Sequence, residues 1–398
     1  MSRQVREIQF NYPRLDTVIQ GGNAVASLLA QVDARASQRV VVLASQTLQQ
    51  RSGILDTLGA ALGSRLAAVC TDIPAHTPRP AVMQAIQRAA AAQADLLVSV
   101  GGGSVIDAAK VVQLALVQNV HAEAELLAYA RFADGSAGPL AGDFSRFKGP
   151  SALRQIAIPT TLSGAEFSNN AGVTDPEKSL KEGYRGPDLC PQAILYDPEL
   201  SRHTPDWLWM STAVRSLDHA IEGYCSAGSH SYLEGHFLHA IRLFARYLPQ
   251  THDDPADLEA RSQCQQAVWL ACCGLGQVQH GASHGIGYLL GAVCGVPHGY
   301  TSCVMLPAVL QWNSAVNAER QRDISAALGR PGGSAGLAVR ELVERLELPT
   351  SLQDVGVPRD ILPRIAELAV RHPVVRRNPK PVVSQDDARE ILELAWNS

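Results

Sequence analysis

The chain has 398 residues, 46% hydrophobic and 18% charged, with a formal net charge of −4, which allows about two or three domains around a large core and makes nucleic acid or an anionic membrane an unexpected partner. No apolar run reaches the roughly 18 residues that cross a bilayer, and the opening Met-Ser-Arg-Gln-Val-Arg-Glu lacks the apolar core of a signal peptide. Eight cysteines lie without CxxC spacing, as expected of reduced, mostly buried side chains in a cytosolic protein.

Residues 5–20 alternate enough to suggest a strand pair, and a helix follows Gly21-Gly22 over residues 23–31. Residues 39–44 read as a buried strand, 50–62 as a helix, 66–70 as a shorter strand and 80–93 as an alanine-rich helix with Pro80 in its first turn. Next comes Asp95-Leu-Leu-Val-Ser-Val-Gly-Gly-Gly-Ser-Val-Ile-Asp-Ala-Ala-Lys110. Here an apolar strand runs through Gly101, Gly102 and Gly103 into a helix over residues 104–118. A strand, glycine turn and helix aim free backbone N–H groups and a helix N-terminus at a phosphate. Ser104 can cap that helix and donate to the anion. The spacing GGGSxxDxxK matches neither GxGxxG nor a P-loop; without a ligand it is an ordinary αβ turn with a surface lysine at 110.

Residues 119–150 are irregular and read as a surface excursion. Gln155-Ile-Ala-Ile-Pro-Thr-Thr-Leu-Ser-Gly-Ala-Glu-Phe167 repeats the strand-then-small-residue pattern. Thr160, Thr161 and Ser163 put hydroxyls at the strand's end for a pyrophosphate or carboxamide, or simply form a polar turn. Ser45 closes the first long strand, where a carboxylate commonly holds the adenosine ribose. Serine there leaves NADPH open beside NADH, or is only a turn residue. The last clear strand is 193–197. Beyond it the periodicities are helical, over about 206–226, 231–248, 255–275, 301–314, 317–328, 334–347, 359–371 and 385–396. The expected fold is therefore α/β plus all-α: a parallel-sheet dinucleotide-binding domain over 1–197 and a helical substrate domain over 198–398.

The glycine block, PTTLSGAEF and Thr174-Asp-Pro-Glu-Lys-Ser-Leu-Lys181 together resemble the iron-containing alcohol dehydrogenase superfamily. The stretches Arg-Ser-Leu-Asp-His-Ala-Ile-Glu222, His280-Gly-Ala-Ser-His-Gly-Ile-Gly and Thr-Ser-Cys-Val-Met-Leu-Pro-Ala-Val309 resemble its maleylacetate reductase-like branch. The similarity runs from about residue 10 to 395. The resemblance implies a dehydroquinate synthase-like fold and NADH or NADPH contacts at Ser45, Gly101, Gly102, Gly103, Ser104, Asp107, Thr160, Thr161, Ser163 and Lys181. It also implies a homodimer paired through the N-terminal strands.

In that superfamily one aspartate and three histidines hold a divalent metal. This chain matches the histidines at His219, His284 and His298, but Arg215 stands where the aspartate belongs, and Tyr288 stands where many members have another histidine. Two unit charges 4 Å apart interact by roughly 4 kcal/mol at an effective dielectric of 20, so the swap turns an attraction for a dication into a repulsion. The expectation is a metal-independent NAD(P)H-dependent carbonyl reductase acting on a keto acid such as maleylacetate, as the branch's metal-free members do. Arg215 and a protonated His219 or His284 then supply positive charge, and Tyr288 or a histidine gives the proton; His298 lines the same site. A metal enzyme on His219, His284 and His298 is the alternative, and a lyase of dehydroquinate-synthase type or a non-catalytic nucleotide-binding protein are remote ones. Arg215 can also merely pair with Asp218 or Glu222 on the helix surface. His280, His284 and Tyr288, four residues apart, can equally form a packing stripe. His236 and His239 are expected to be ordinary, partly buried histidines, and Arg371, Arg376, Arg377 and Lys380 a solvated face.

Overall fold

The computed structural model describes residues 7–132, 136–143, 152–177 and 180–396. Its first half alternates strands and helices: β1 (Thr17–Gln20), α1 (Ala24–Ala34), β2 (Val40–Ala44), α2 (Gln46–Arg51), α3 (Ile54–Leu62), β3 (Leu66–Cys70), α4 (Arg79–Ala91), β4 (Leu96–Gly101), α5 (Gly103–Gln118), α6 (Glu123–Leu127), β5 (Arg131–Phe132), β6 (Arg154–Pro159), β7 (Asn170–Asp175), β8 (Leu180–Arg185) and β9 (Ala193–Tyr196). Six of these strands form one parallel sheet in the order β1-β9-β6-β4-β2-β3, while β5-β8-β7 make a small antiparallel sheet beside it. The strands β2, β4 and β6 are buried at every position, as parallel strands covered by helices on both faces must be.

The second half holds α7 (Pro198–Ser201), α8 (Asp206–Cys225), α9 (Ser231–Asp253), α10 (Leu258–Cys272), α11 (Ala282–Cys294), α12 (His298–Ala327), α13 (Ala335–Arg345), α14 (Leu362–Arg371) and α15 (Gln385–Trp396). From Trp209 to its end α8 is buried on all sides, which makes it the axis around which the helical half packs. No helix among the described residues is long and apolar enough to cross a membrane.

Four sequence expectations are corrected. Residues 7–16 form no strand, so the strand pair over 5–20 reduces to β1 alone, with residues 1–6 outside the described part. Pro13 interrupts the segment, and Phe10 and Leu15 pack on the helical core instead of pairing in a sheet. The helix over 50–62 is two, broken at Gly53, whose φ of +60° ends one and starts the other. The two helices over 301–328 run together as α12, starting at His298, with a break at Asn317 (φ −136°). The hairpin β7–β8 has no counterpart among the predicted elements, and α11 takes up the four-residue recurrence of His280, His284 and Tyr288, to which the periodicity assigns no bounds. The excursion at 119–150 is only partly described and contains α6 and β5.

All eight cysteines are unpaired, six of them buried. The buried Lys110 is no surface lysine: its Nζ donates to the carbonyls of Ala165 (2.6 Å) and Asn170 (2.7 Å) and lies 3.3 Å from Asp107. It thereby clamps α5 to the loop after β6.

Beside that clamp sits Glu166, fully buried, with the Tyr196 hydroxyl donating to it at 2.5 Å. Burial pushes its carboxyl up to about 7, against the opposing pull of that hydroxyl and of Lys110. A carboxyl raised in the folded state contributes stability that is full below its ordinary pKa and is lost as pH rises through about 7. Glu166→Gln should therefore gain on the parent chain as pH rises, by up to about 3 kcal/mol between the acid and neutral limits. Urea unfolding of both proteins at pH 5 and pH 8 checks this; a difference that does not change with pH contradicts it.

Candidate active site

The glycine turn closes β4 and starts α5. Gly101 has φ +152°, a backbone that side-chain-bearing residues rarely adopt. A Cβ on Gly102 would lie 2.9 Å from the Thr161 methyl and one on Gly103 3.0 Å from Ser163 Oγ. The turn is thus packed edge to edge with the Thr160–Ser163 loop, and the hydroxyls of Thr161 and Ser163, 3.4 Å apart, sit against it. Only residues without a Cβ allow the turn and this loop to approach so closely, and a glycine turn at a helix start with hydroxyls beside it is chemically suited to a diphosphate.

Three of the predicted cofactor contacts have other local jobs. Gly102, not Ser104, occupies the N-cap of α5, because Ser104 lies inside the first turn; its Oγ accepts the His76 N–H at 3.1 Å. Ser45 caps α2 by accepting from Leu48 N. Asp107 accepts the Gly172 N–H at 2.9 Å. Built on Gly172, a Cβ would be 3.8 Å from both Asp107 Oδ2 and Lys181 Nζ. The hairpin therefore delivers Lys181 to the first turns of α5. Burial, partly countered by Asp107, holds the Lys181 ammonium below the usual lysine range, and the charge of Arg215 adds to the lowering.

Across from the turn, α8 presents Arg215, Asp218, His219 and Glu222. Arg215 is buried, only 3% exposed, so its approach to Asp218 lies inside the protein and not on the helix surface. Its Nη1 donates to Ser302 Oγ at 3.1 Å and stands 3.9 Å from Asp218; its guanidinium lies 5.4 Å from the centre of the Tyr288 ring. Asp218 accepts from the hydroxyls of Ser283 (2.8 Å) and Ser302 (2.7 Å). Glu222 accepts from the backbone N–H of Gly281 (2.9 Å), Ser283 (2.8 Å) and His284 (3.3 Å), and from His284 Nδ1 (2.8 Å). It is the cap of α11, and it reaches there from a different helix. Sequence reading gave Glu222 no such role, since nothing local marks a cap supplied from some 60 residues away.

Three histidines meet below Arg215. His284 Nε2 is 2.8 Å from His219 Nδ1, which is 3.2 Å from His280 Nε2, and the rings of His280 and His284 stack at 4.1 Å. Burial and nearby positive charge, that of Arg215 included, hold His219 and His280 well below the usual histidine range. Burial and Arg215 also act on His284, but the carboxylates of Asp218 and Glu222 outweigh them and raise it. An imidazolium at His284 donates from Nδ1 to Glu222 and from Nε2 to neutral His219.

The histidine nitrogens that cluster in the structure are not those of the expected trio His219, His284 and His298. The ligand atoms of His219, His280 and His284 lie within 4.8 Å of one another, as do those of Asp218, Glu222 and His284. His298 instead opens α12, and its ring stacks on Tyr288 at 5.5 Å. The reason is position: His280 precedes the first turn of α11 and can fold back over His284, while Pro297 sets His298 at another helix start. As donor atoms, three imidazoles suit a tetrahedral cation with one open position. As charges the fit is mixed: the trio has no anion and the guanidinium on the preceding turn of α8 acts on all three, while the carboxylates of Asp218 and Glu222 stand 3.3 Å and 2.8 Å from His284 Nδ1. Elsewhere, His236 is partly buried, as expected, while His239 is exposed; Arg371, Arg376 and Arg377 are exposed, and Lys380 lies over the Trp312 ring.

A parallel sheet with a glycine turn, facing a largely buried cluster of arginine and histidines edged by the exposed Tyr288 on a helical half, defines an oxidoreductase of the nucleotide-plus-helical-domain type. Family models agree across both halves: iron-containing alcohol dehydrogenase matches residues 16–198, and the Fe-containing alcohol dehydrogenase family, C-terminal, matches residues 209–396. The chain belongs to the iron-containing alcohol dehydrogenase family. It is similar to a maleylacetate reductase of Burkholderia cepacia, 29% identical over 384 residues and 96% of each chain. A dehydrogenase of Alternaria alternata is 30% identical over 396 residues, covering 90% of this chain and 99% of its own. The crystal structure of maleylacetate reductase from Agrobacterium tumefaciens superposes with a TM-score of 0.82 at 25% identity over 99% of both chains.

Proposed function

We propose that this protein is a metal-independent NAD(P)H-dependent reductase of a keto acid such as maleylacetate, with residues 1–197 as the dinucleotide-binding domain and 198–398 as the substrate domain. The observation that carries the reading is Arg215. It is buried, hydrogen-bonded to Ser302 and 5.4 Å from the centre of the Tyr288 ring, which supports a role toward the substrate rather than solvent.

Reduced nicotinamide supplies the hydride; the chain's own residues do the rest. Gly101–Gly103 with Thr161 and Ser163 hold the diphosphate, and Lys181 holds the adjoining part of the cofactor. Arg215 offers a planar fork to a carboxylate of the substrate and positive charge to the oxygen that becomes an alkoxide. His219 delivers the proton to that oxygen and is recharged from His284, which Asp218 and Glu222 keep protonated. Tyr288 and His298, stacked on each other, wall the pocket. A homodimer fits the same reading, because β1 is an edge strand of the main sheet. So does a place in the cytoplasm, because all eight cysteines are unpaired.

The test is turnover of maleylacetate and a panel of simple keto acids, alcohols and aldehydes with NADH and NADPH, each with and without a strong chelator. Keto-acid reduction indifferent to the chelator supports the proposal. Activity confined to alcohols and aldehydes and lost with chelator favours the second reading, a metal on His219, His280 and His284, for which the clustered nitrogens are the specific support.

A further inference from the structure

The loop between β3 and α4 carries two consecutive residues in the left-handed region: His76 at φ +66° and Thr77 at φ +54°. A β-branched residue is a genuine outlier there, and such backbones persist only where their surroundings hold them. The surroundings do so from both sides. On one side the His76 N–H donates to Ser104 Oγ, and the Thr77 hydroxyl donates to the Ser104 carbonyl at 3.0 Å. On the other, the Thr174 hydroxyl donates to the His76 carbonyl at 2.7 Å, and Thr174 N donates to the Thr77 carbonyl at 3.0 Å. Ser104 belongs to the first turn of α5, and Thr174 pairs across the hairpin with Lys181. The strained dipeptide therefore staples the glycine turn to the strand pair that carries Lys181.

What the staple displays is the imidazole of His76. The residue is exposed, and its ring makes no hydrogen bond among the described residues. It stands close enough to Lys181, and to His298 on the far side of the site, for their charges to act on one another. Although the residue as a whole is exposed, partial desolvation of the ring and the Lys181 charge favour its neutral form, which keeps one N–H to donate. The backbone is thus held in a costly conformation, and among the described residues the ring so presented has no hydrogen-bond partner.

We propose that His76 is a cofactor-contacting residue: its imidazole hydrogen-bonds the diphosphate of the dinucleotide, from the side of the helix N-terminus opposite Thr161 and Ser163. This rests on the dinucleotide reading of the glycine turn given above. It extends that site to an element the glycine turn does not announce.

The test is calorimetric titration of the intact protein and of His76→Ala and His76→Gln with ADP-ribose, AMP and NADPH, alongside melting curves. The expected result is about a tenfold loss of ADP-ribose and NADPH affinity in His76→Ala, on the scale of one lost hydrogen bond to a charged group. AMP, which lacks the diphosphate, should bind unchanged, and His76→Gln, which keeps a donor, should recover most of the loss. Equal ADP-ribose affinity in parent and His76→Ala overturns the assignment, and so does an equal loss for AMP and ADP-ribose, which marks a collapsed loop. If the parent protein binds neither ADP-ribose nor NADPH, the dinucleotide reading itself falls first. That outcome is read from the parent alone and is separate from any effect of His76.

Discussion

Arg215→Met should lower kcat by about 10²- to 10³-fold, the loss seen when a preorganised group that stabilises a developing oxyanion is removed. Methionine keeps an unbranched apolar stem reaching as far as the arginine Nε and takes away the charge and the fork. The site should survive the change. Asp218 keeps its hydrogen bonds from Ser283 and Ser302 and its His284 neighbour, so no carboxylate is left bare. The kinetic pattern separates the two jobs given to this side chain. A fall in kcat with it in kcat/KM means that Arg215 acts on the transition state. A rise in KM at constant kcat means that it only holds a carboxylate. Arg215→Lys should sit between, because a point charge remains but the bidentate geometry does not. Unchanged kcat and KM in Arg215→Met would remove Arg215 from the mechanism.

Glu222→Ala should destabilise the fold by about 3–5 kcal/mol, the cost of breaking a buried charged pair by deleting one partner. The carboxylate accepts four hydrogen bonds at once, three from the backbone at the start of α11 and one from His284 Nδ1. That helix needs an outside cap more than most. Its own N-cap is Gly281, which has no side chain, and Gly285 and Gly287 weaken it further. Those glycines are not free to become better helix formers, because a Cβ on Gly285 would lie 2.5 Å from the Val375 side chain and one on Gly287 2.9 Å from Thr301 Oγ1. The helix is thin so that its neighbours can approach closely, and Glu222 restores what thinness costs. Chemical unfolding measures the effect. A loss under about 1 kcal/mol would mean that water replaces the carboxylate without penalty, which a cap of this burial does not allow.

These two residues show what was and was not legible beforehand. The parallel sheet announced itself through runs such as Val40–Ala44 and Leu96–Val100, since both faces of each strand are covered. Arg215 stood out as a cation where the family pattern asks for an anion, yet burial and the Ser302 bond are properties of packing that no spacing encodes. The recurrence of His280, His284 and Tyr288 points to α11, but the low propensity of its glycines, which close approach overrides, obscures its bounds. The hairpin β7–β8 was hidden by the opposite fault: Leu-Lys-Glu-Gly-Tyr-Arg185 does not read as an alternating strand, because Glu182 is buried against Arg79. His280 was weighed only as packing, since the family register pointed to His298. Only folded geometry shows that the start of α11 returns it to His219. The left-handed backbone of His76 and Thr77 leaves no mark in the sequence at all.

The account turns on Arg215 replacing a metal's charge, so the most direct test is metal content per chain. It should be measured by elemental mass spectrometry on protein purified without chelator, with reductase activity recorded on the same sample. Activity with near-zero iron, zinc, manganese and nickel is the predicted result. Close to one metal per chain, with activity that falls as the metal is removed and returns when it is restored, would contradict the account and favour the metal-dependent reading.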